Sequence, residues 1–301
     1  MQPPLPSLTP TWHNDIYPAI EYIAGDITHS GETIVITGAG SGLDRETALA
    51  FATAGAKQLV LMGRTVATLN ETASLVSKVN DGLQVSVLAV DVTDEAAVAG
   101  AAAKIGTWNV LVHGAGSINT PVPASQADIG EYWKCYEVAL CLFFTCVVRA
   151  VRETDAEFQT NVKSTILLAK YMISKASQAN ASFLAITAGI SGFETGSGQD
   201  NRVPCPREPK HLLASIHPGM VDTKIFRTSG ATPDIMPMDS PRLAAGFMLW
   251  VTKPDAKFLN GKTVWSNWDV TELKAMKESI SASGKLNIGL VGWPFTTEKA
   301  A

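Results

Sequence analysis

The chain has 301 residues, of which 46% are hydrophobic and 17% charged, so it is long enough for one large domain with a full core. Its formal net charge of −4 gives no electrostatic reason to expect nucleic acid or an anionic membrane as a partner. The prolines of "MQPPLPSLTPTWHND" are not typical of a secretory signal, and the longest strongly apolar run, 138–148, is too short to span a bilayer. We therefore expect a soluble, cytoplasmic protein that acts on small molecules.

Seven short β-rich runs follow one another along the chain. They lie at 33–37, 58–62, 83–90, 109–113, 182–187, 211–216 and 262–266. Amphipathic helices are predicted between the first four runs, at 41–56, 65–79 and 94–104. Strands that are apolar on both faces and separated by helices are typical of a parallel sheet with right-handed crossovers. The sequence therefore predicts an α/β protein with a doubly wound parallel sheet of about seven strands, a Rossmann fold.

No internal repeat, low-complexity segment or linker divides the chain. We predict one Rossmann-type domain over residues 31–301, preceded by an N-terminal extension over residues 1–30. The 4 cysteines show no metal-ligand spacing, so we predict no metal site.

The stretch "TGAGSGLD", residues 37–44, leaves the first strand and opens the first helix, where a glycine-rich phosphate loop belongs. Gly38 permits a tight turn, and Gly40 and Gly42 let the backbone approach a pyrophosphate over the helix N-terminus. Arg64 follows the second strand, where an acidic residue would otherwise hold the ribose of NAD. An arginine there favours a 2′-phosphate and hence NADP(H). The alternative is a solvated arginine at a helix start.

These motifs resemble those of the short-chain dehydrogenase/reductase family from about residue 31 to the C-terminus. Further matches are Asp91-Val92 after the third strand, "HGAG" (113–116) after the fourth, "NVKS" (161–164) and "HPGMVDT" (217–223). The tail, with "FLNGKTVWSNWDV" and "GLVGWPF", is similar to a branch common among fungal enzymes of secondary metabolism. The resemblance implies hydride transfer with a nicotinamide cofactor, a small-molecule substrate and a homo-oligomer.

The resemblance also implies roles for individual residues. Asn161 would support the proton relay, and Thr187 lies beside the position of the family's catalytic serine. The cofactor contacts that it implies are Thr37, Gly38, Ser41, Gly42, Leu43, Arg64, Asp91, Val92, Gly116, Val221 and Thr223.

Asp44 stands where the family has its third glycine. A carboxylate in the first helical turn gains about 0.3–1 kcal/mol from the helix dipole. Facing a pyrophosphate about 5 Å away, it would lose on the order of 3 kcal/mol. An inward Asp44 would therefore weaken cofactor binding, whereas an Asp44 that points to solvent would be merely a helix-start residue. The sequence leaves both alternatives open.

Other side chains of the family pattern are also replaced. His113 and Gly114 stand in place of two asparagines, and we assign His113 no catalytic role because a histidine at a strand end is more often structural. Ala188 occupies the position of the catalytic serine, with Thr187 and Ser191 nearby. Adjacent strand residues face opposite sides, so Thr187 would serve only after a register slip or a bulge.

The segment "YMISK", residues 171–175, spells the family's catalytic tyrosine-lysine pair on what would be one helix face. In the family the pair follows the serine strand, but no tyrosine follows Tyr171 in this chain. The glycines and three prolines between Ser191 and His217 prevent the long helix that would carry it. We interpret Tyr171 as an ordinary packing residue of the helix that begins near Asn161. The apolar stripe predicted for this helix is Ile166, Leu167, Ala169, Met172 and Ile173.

Residues 138–159 are an atypical insertion that interrupts an otherwise familiar helix. They are either retained intron sequence or a genuine apolar segment that packs on the surface or in a subunit contact. Residues 193–210 reflect either a similar misreading of the gene or a real loss. Trp265, Trp268 and Trp293 either roof an apolar substrate pocket or pack in a subunit interface.

By resemblance, the chain is an NADP(H)-dependent oxidoreductase that acts on a carbonyl or alcohol of a small, secondary-metabolite substrate. Loss of the tyrosine-lysine pair favours an alternative. The chain would then be a catalytically impaired pseudoenzyme, or a non-redox scaffold that still binds a dinucleotide.

Overall fold

The structure is a computed structural model that describes residues 3–4, 7–23, 27–118, 161, 163–178, 180–187, 211–234 and 237–287. Several sequence-based interpretations concern residues outside these ranges. They are the insertion at 138–159, the segment 193–210, and the residues Ala188, Ser191 and Trp293.

The predicted parallel sheet is confirmed, with seven strands in the described part of the chain. They are β1 (Thr33–Thr37), β2 (Gln58–Gly63), β3 (Gln84–Ala89), β4 (Val110–His113), β5 (Ala181–Ile186), β6 (His211–His217) and β7 (Lys262–Trp265). Their order across the sheet is β3-β2-β1-β4-β5-β6-β7, and all pairings are parallel. Strand order reverses at β1 and β4, so the carboxyl ends of these two strands are where a doubly wound sheet binds its ligand.

Helices connect and cover the strands. They are α1 (Gly42–Thr53), α2 (Val66–Val79), α3 (Glu95–Ile105), α4 (Ser164–Met172), α5 (Lys224–Thr228), α6 (Pro241–Val251), α7 (Val270–Ala275) and α8 (Lys277–Ser281). Their starts follow sequence signals: Asp94 caps α3 by accepting from the N–H groups of Ala96 and Ala97, and Ser240 caps α6 just before a proline. Of the helices in the described ranges, none combines the length and apolarity that a bilayer crossing requires.

Buried side chains form one core on each face of the sheet, as alternation along the strands requires. Ile34 and Ile36 of β1 pack in a cluster with Phe51 of α1 and Phe247 of α6. Val35, between them, belongs to the other cluster, which is closed by α3 and α4. Because both faces are covered, the sheet positions its loops rigidly at the carboxyl edge.

The described part of the N-terminal segment packs onto this core. Trp12 forms an antiparallel bridge with Trp268, and Ile20 is fully buried. A Cβ at Gly246 of α6 would lie 2.7 Å from the carbonyl oxygen of Ile20, so the glycine allows the two backbones to approach closely. The segment thus contributes to the folded unit before the first strand begins.

Candidate cofactor and active site

The glycine loop joins β1 to α1 and has the backbone that its sequence predicts. Gly38 has φ +78° and Gly42 has φ +57°, in the region that favours glycine. Ser41 is exposed at the N-cap position of α1, and its side chain makes no capping hydrogen bond among the described residues. The first-turn N–H groups of α1 are thus uncapped by this residue and suited to an anion. Leu43 is buried in the core, so only its backbone is available to a cofactor.

Side chains of α1 and α2 bind the backbone of this loop. Thr72 donates its hydroxyl to the Ala39 carbonyl at 2.8 Å, and the Arg45 guanidinium donates to the Gly40 carbonyl. A Cβ at Gly40 would lie 2.4 Å from the Thr68 hydroxyl oxygen, so a larger residue would displace that side chain. These contacts preorganise the loop, and a pyrophosphate fits its geometry.

Asp44 points inward rather than to solvent, so the alternative of a solvated helix-start residue is wrong. Its carboxyl is buried between the glycine loop and the end of β4, close to Gly38 and Gly114. Burial raises the pKa of Asp44 from 3.8 to about 8, so the group is mostly neutral near pH 7. The charge repulsion expected from the sequence is therefore largely removed by protonation.

His113 is a buried bridge between β1 and α4. Its Nδ1 lies 2.8 Å from the Thr37 hydroxyl oxygen, and its Nε2 lies 2.9 Å from the Ser164 hydroxyl oxygen. Burial lowers the pKa of His113 to about 4, which keeps the ring neutral. Thr37 also accepts a hydrogen bond from the Ala115 N–H. Both residues therefore fix the loop after β4 rather than reach outward.

Asn161 closes the same loop from the start of the α4 region. Its amide oxygen accepts from the Ser117 N–H at 3.0 Å, and its amide nitrogen donates to the Ser117 carbonyl at 2.9 Å. A Cβ at Gly116 would lie 3.3 Å from the Asn161 amide oxygen. The structure thus brings Asn161 and Gly116 together at the carboxyl edge of the sheet.

Arg64, Asp91 and Val92 lie at the ends of the two outer strands. Arg64 is exposed, whereas Val92 is buried. Burial alone would raise the pKa of Asp91, but hydrogen bonds from the N–H and hydroxyl of Thr93, together with the positive charge of Arg64, hold it below its usual value. Arg64 and Asp91 are therefore close enough to interact electrostatically.

The Pro-Gly loop after β6 lies against the glycine loop. A Cβ at Gly42 would lie 3.6 Å from the methyl group of Thr223, which also caps α5 by accepting from the Phe226 N–H. Val221 is buried beside it. The two predicted residues of this loop and the phosphate loop thus form one continuous edge.

A buried carboxyl anchors the Pro-Gly loop to the N-terminal segment. Asp239 accepts from the Met220 N–H at 2.6 Å and from the Asn14 side chain at 2.5 Å. A Cβ at Gly219 would lie 2.4 Å from an Asp239 oxygen, and Gly219 has φ +84°. Burial raises the pKa of Asp239, although hydrogen bonds from Met220, Asn267 and Asn14 act in the opposite direction. Sequence reasoning missed Asn14 and Asp239, and no motif marks them.

Thr187 is the last described residue after β5. Its N–H donates to the Ile216 carbonyl at 2.8 Å, which continues the pairing with β6, and the residue is half-buried. It lies at the same carboxyl edge as His217. The neighbouring positions that decide its catalytic use fall outside the described residues.

The "YMISK" segment is bound to a different element, in agreement with the packing interpretation. The α-helix ends at Met172, and Ile173–Lys175 form a 3-10 turn, so Tyr171 and Lys175 do not share one regular α-helix. The Tyr171 hydroxyl donates to the Glu95 carboxylate of α3 at 2.5 Å, and Lys170 binds the same oxygen at 2.6 Å.

The apolar stripe predicted for α4 is wrong in part. Leu167 and Met172 are buried as expected, but Ile166 is 40% exposed and the buried position is taken by Leu168. The helix is rotated because Ser164 faces His113, which turns Leu168 toward the sheet one turn later.

Trp265 and Trp268 pack on the protein itself. Trp265 stacks on His217 with ring centroids 4.1 Å apart, and it also contacts Trp12 at 5.9 Å. Trp268 is buried in the core. Trp12, His217 and Trp265 line a small pocket of about 10 Å³ beside the Pro-Gly loop. Because Trp293 lies outside the described residues, the choice between a substrate pocket and a subunit interface stays a prediction. Among the described residues, no cluster of metal-ligating side chains is present.

Comparison with protein families gives one match over more than half of the chain. A family model described as "short chain dehydrogenase" matches residues 32–198. Among curated proteins, "Short chain dehydrogenase mpl6" of Monascus purpureus is 32% identical over 311 residues, which cover 95% of this chain and 98% of the relative. A "Short chain dehydrogenase/reductase" of Claviceps purpurea is 28% identical and covers 95% of each chain.

Solved structures share the fold at lower identity. The oxidoreductase yciK from Escherichia coli has a TM-score of 0.63 and 18% identity, with 80% of this chain and 96% of that chain covered. A 7α-hydroxysteroid dehydrogenase, complexed with NADH and 7-oxo glycochenodeoxycholic acid, has a TM-score of 0.62 and 19% identity, with 84% and 97% covered. Both chains carry the same arrangement of sheet and helices.

Proposed function

Because the chain belongs to the short-chain dehydrogenase/reductase family, we propose that it is an NADP(H)-dependent oxidoreductase acting on a carbonyl or alcohol carbon of a small molecule. When bound, the cofactor supplies or accepts the hydride. The residues of this chain bind it through the loop at 37–44, cover it with Val221 and Thr223, and orient the substrate side through the loop that Asn161 holds.

Arg64 carries the choice of NADP(H) over NAD(H). It is exposed immediately after β2, where an acidic residue would otherwise bind a ribose hydroxyl. The guanidinium is always charged and presents a fork of donors that matches a phosphate. Its positive charge also acts on Asp91, which follows the neighbouring strand β3.

Arg64→Ala is expected to weaken NADPH binding about 10- to 100-fold while NADH binding changes little, because a charge-assisted hydrogen bond to a phosphate contributes about 1.5–3 kcal/mol. Fluorescence titration of both nucleotides measures this. Lys78→Ala, which removes an exposed charge at the far end of α2, is the matched control. Equal loss of NADPH and NADH affinity, or no loss, would contradict the assignment.

The proposed substrate is a secondary metabolite, in either direction of the reaction. The fungal origin of the relatives and the similar C-terminal tail support this proposal. Assembly as a homo-oligomer and a cytoplasmic location stay predictions.

The second candidate is a pseudoenzyme or scaffold that binds a dinucleotide without turnover. It is supported by the hydrogen bond that the Tyr171 hydroxyl donates to Glu95, because this carboxylate also pairs with Lys170 and ties the phenol to α3. Oxidation of NADPH with a panel of ketones would exclude the scaffold. Binding without turnover would support it, and deletion of 138–159 in parallel tests whether that stretch blocks activity.

For an active enzyme, Tyr171→Phe is expected to leave kcat within about twofold, because general acid–base catalysis does not pass through this residue. Asn161→Ala is expected to lower kcat about 100-fold, at the lower end of what general acid–base catalysis contributes. Steady-state kinetics with NADPH and one reactive ketone measures both. Loss of activity in Tyr171→Phe would mean that the packing interpretation of "YMISK" is wrong.

A further inference from the structure

We propose that the Asp44 carboxyl fills the space between the glycine loop and the end of β4, positions that loop for a dinucleotide, and requires glycine at position 114. The part of the proposal that concerns NADPH affinity rests on the proposed dinucleotide binding. The part that concerns stability rests on packing alone. A phosphate-loop motif alone would predict neither the aspartate at position 44 nor the glycine at position 114.

The Asp44 carboxyl leaves no space for a side chain at position 114. A Cβ there would lie 1.9 Å from Asp44 Oδ1 and 2.4 Å from its Cγ, closer than any real contact. Gly114 does not have a positive φ, so its backbone is open to any residue. Glycine is therefore needed at this position for space and not for conformation, and what occupies the space is the carboxyl of Asp44.

The same carboxyl supports the phosphate loop. A Cβ at Gly38 would lie 2.7 Å from Asp44 Oδ2, so this oxygen lies directly under the first glycine of the loop. Asp44 is 8% exposed, and its Oδ1 has no hydrogen-bond partner among the described residues. It acts as a neutral wedge between two backbone segments.

Position 114 also connects the wedge to the substrate side of the site. The residue before it, His113, is bonded to Thr37 and Ser164, and the next, Ala115, donates to Thr37. The loop then continues to Ser117, which Asn161 holds by two hydrogen bonds. A displacement at the wedge would therefore move both the phosphate loop and the segment that Asn161 orients.

The charged groups on the described elements next to Asp44 do not pair with its carboxyl. On β4 the neighbouring His113 is itself uncharged, because burial lowers its pKa to about 4. On α1 the Arg45 guanidinium turns away to Gly40 and Glu71, and on α6 Arg242 faces Glu21. Burial raises the pKa of Asp44 to about 8, so a charge appears beneath the phosphate loop only in alkaline solution.

A double-mutant cycle tests the packing. Gly114→Ala is expected to lower Tm by about 5 °C or more and to weaken NADPH binding at least about tenfold, because overpacking forces Asp44 and the loop apart. In the Asp44→Gly background the same change is expected to cost far less, so the pair is strongly non-additive. Gly100→Ala is the control, since a Cβ there meets nothing within 4 Å. Equal losses in both backgrounds, or a double variant that does not fold, would overturn the proposal.

The test of cofactor affinity varies the pH, because a carboxyl with a role in packing alone would not make NADPH binding depend on pH. The Kd of the wild-type chain for NADPH is expected to rise above pH 8 by up to about tenfold per pH unit, whereas Asp44→Asn is expected to give a flat profile. Identical profiles would contradict the positioning role. If the chain binds neither NADPH nor NADH, the proposed function fails, while the Tm cycle still decides whether Asp44 and Gly114 are partners.

Discussion

Asp44→Asn is expected to abolish a loss of stability of about 4 kcal/mol that the wild-type chain undergoes between pH 5 and pH 8. The pKa of Asp44 rises from 3.8 to about 8 on folding because the carboxyl is buried without a charged partner. Between these values the unfolded chain is ionised and the folded chain stays protonated. Stability contributed by this group is therefore complete below pH 3.8 and is lost as the pH rises to 8. Asparagine has a similar shape and does not titrate.

Chemical denaturation at several pH values measures this effect. The free energy of unfolding of Asp44→Asn, relative to wild type, is expected to increase steadily with pH over this range, whatever its offset at pH 5. Asp222→Asn is the matched control, because that carboxylate is exposed and its ion pair with Arg227 lowers its pKa instead. Parallel pH profiles for wild type and Asp44→Asn would show that the carboxyl is ionised in the folded chain.

His113→Gln is expected to remove about 3 kcal/mol of the destabilisation that acid produces between pH 6.5 and pH 4. Burial lowers the pKa of His113 from 6.5 to about 4. In this range the His113 ring therefore binds a proton in the unfolded chain but not in the folded chain. The free energy of unfolding falls as the pH falls. Glutamine cannot bridge Thr37 and Ser164 as the ring does, so a loss at neutral pH is expected as well.

His217→Gln is the matched variant, because burial also lowers the pKa of His217 to about 4 and its ring stacks on Trp265. Each single change is expected to remove a similar part of the acid slope, and the two parts are expected to add. The free energy of unfolding, followed from pH 7 to pH 4, measures both slopes. Unchanged acid sensitivity in His113→Gln would mean that the ring is protonated inside the fold.

The strands and the glycine loop could be predicted because their signals are local. Apolar runs such as "TIVIT" and "NVLVH" need only their own residues to indicate a buried strand. The positive φ angles of Gly38 and Gly42 likewise follow from a turn between a strand and a helix. Because both faces of the sheet are buried, these short apolar runs fit few elements other than a central strand.

The direction of Asp44 could not be predicted, because it depends on a gap that another part of the chain provides. The sequence shows an acidic residue in a first helical turn, and only the approach of Gly114 makes the buried orientation available. Asp239 and Asn14 are harder still, since 225 positions separate them and neither lies in a motif. The error at Ile166 has a similar origin, because the hydrogen bond between Ser164 and His113 sets the rotation of α4.

The clash at position 114 has a historical consequence. An ancestor with any side chain there would have had to lose it before an aspartate at 44 was tolerable, since the reverse order passes through a 1.9 Å overlap. Once both changes were in place, position 114 could not regain a side chain while Asp44 remained. Descendants that keep Asp44 are therefore expected to keep glycine at position 114, whereas loss of Asp44 frees that position, a pattern that divergent sequences of this lineage would show.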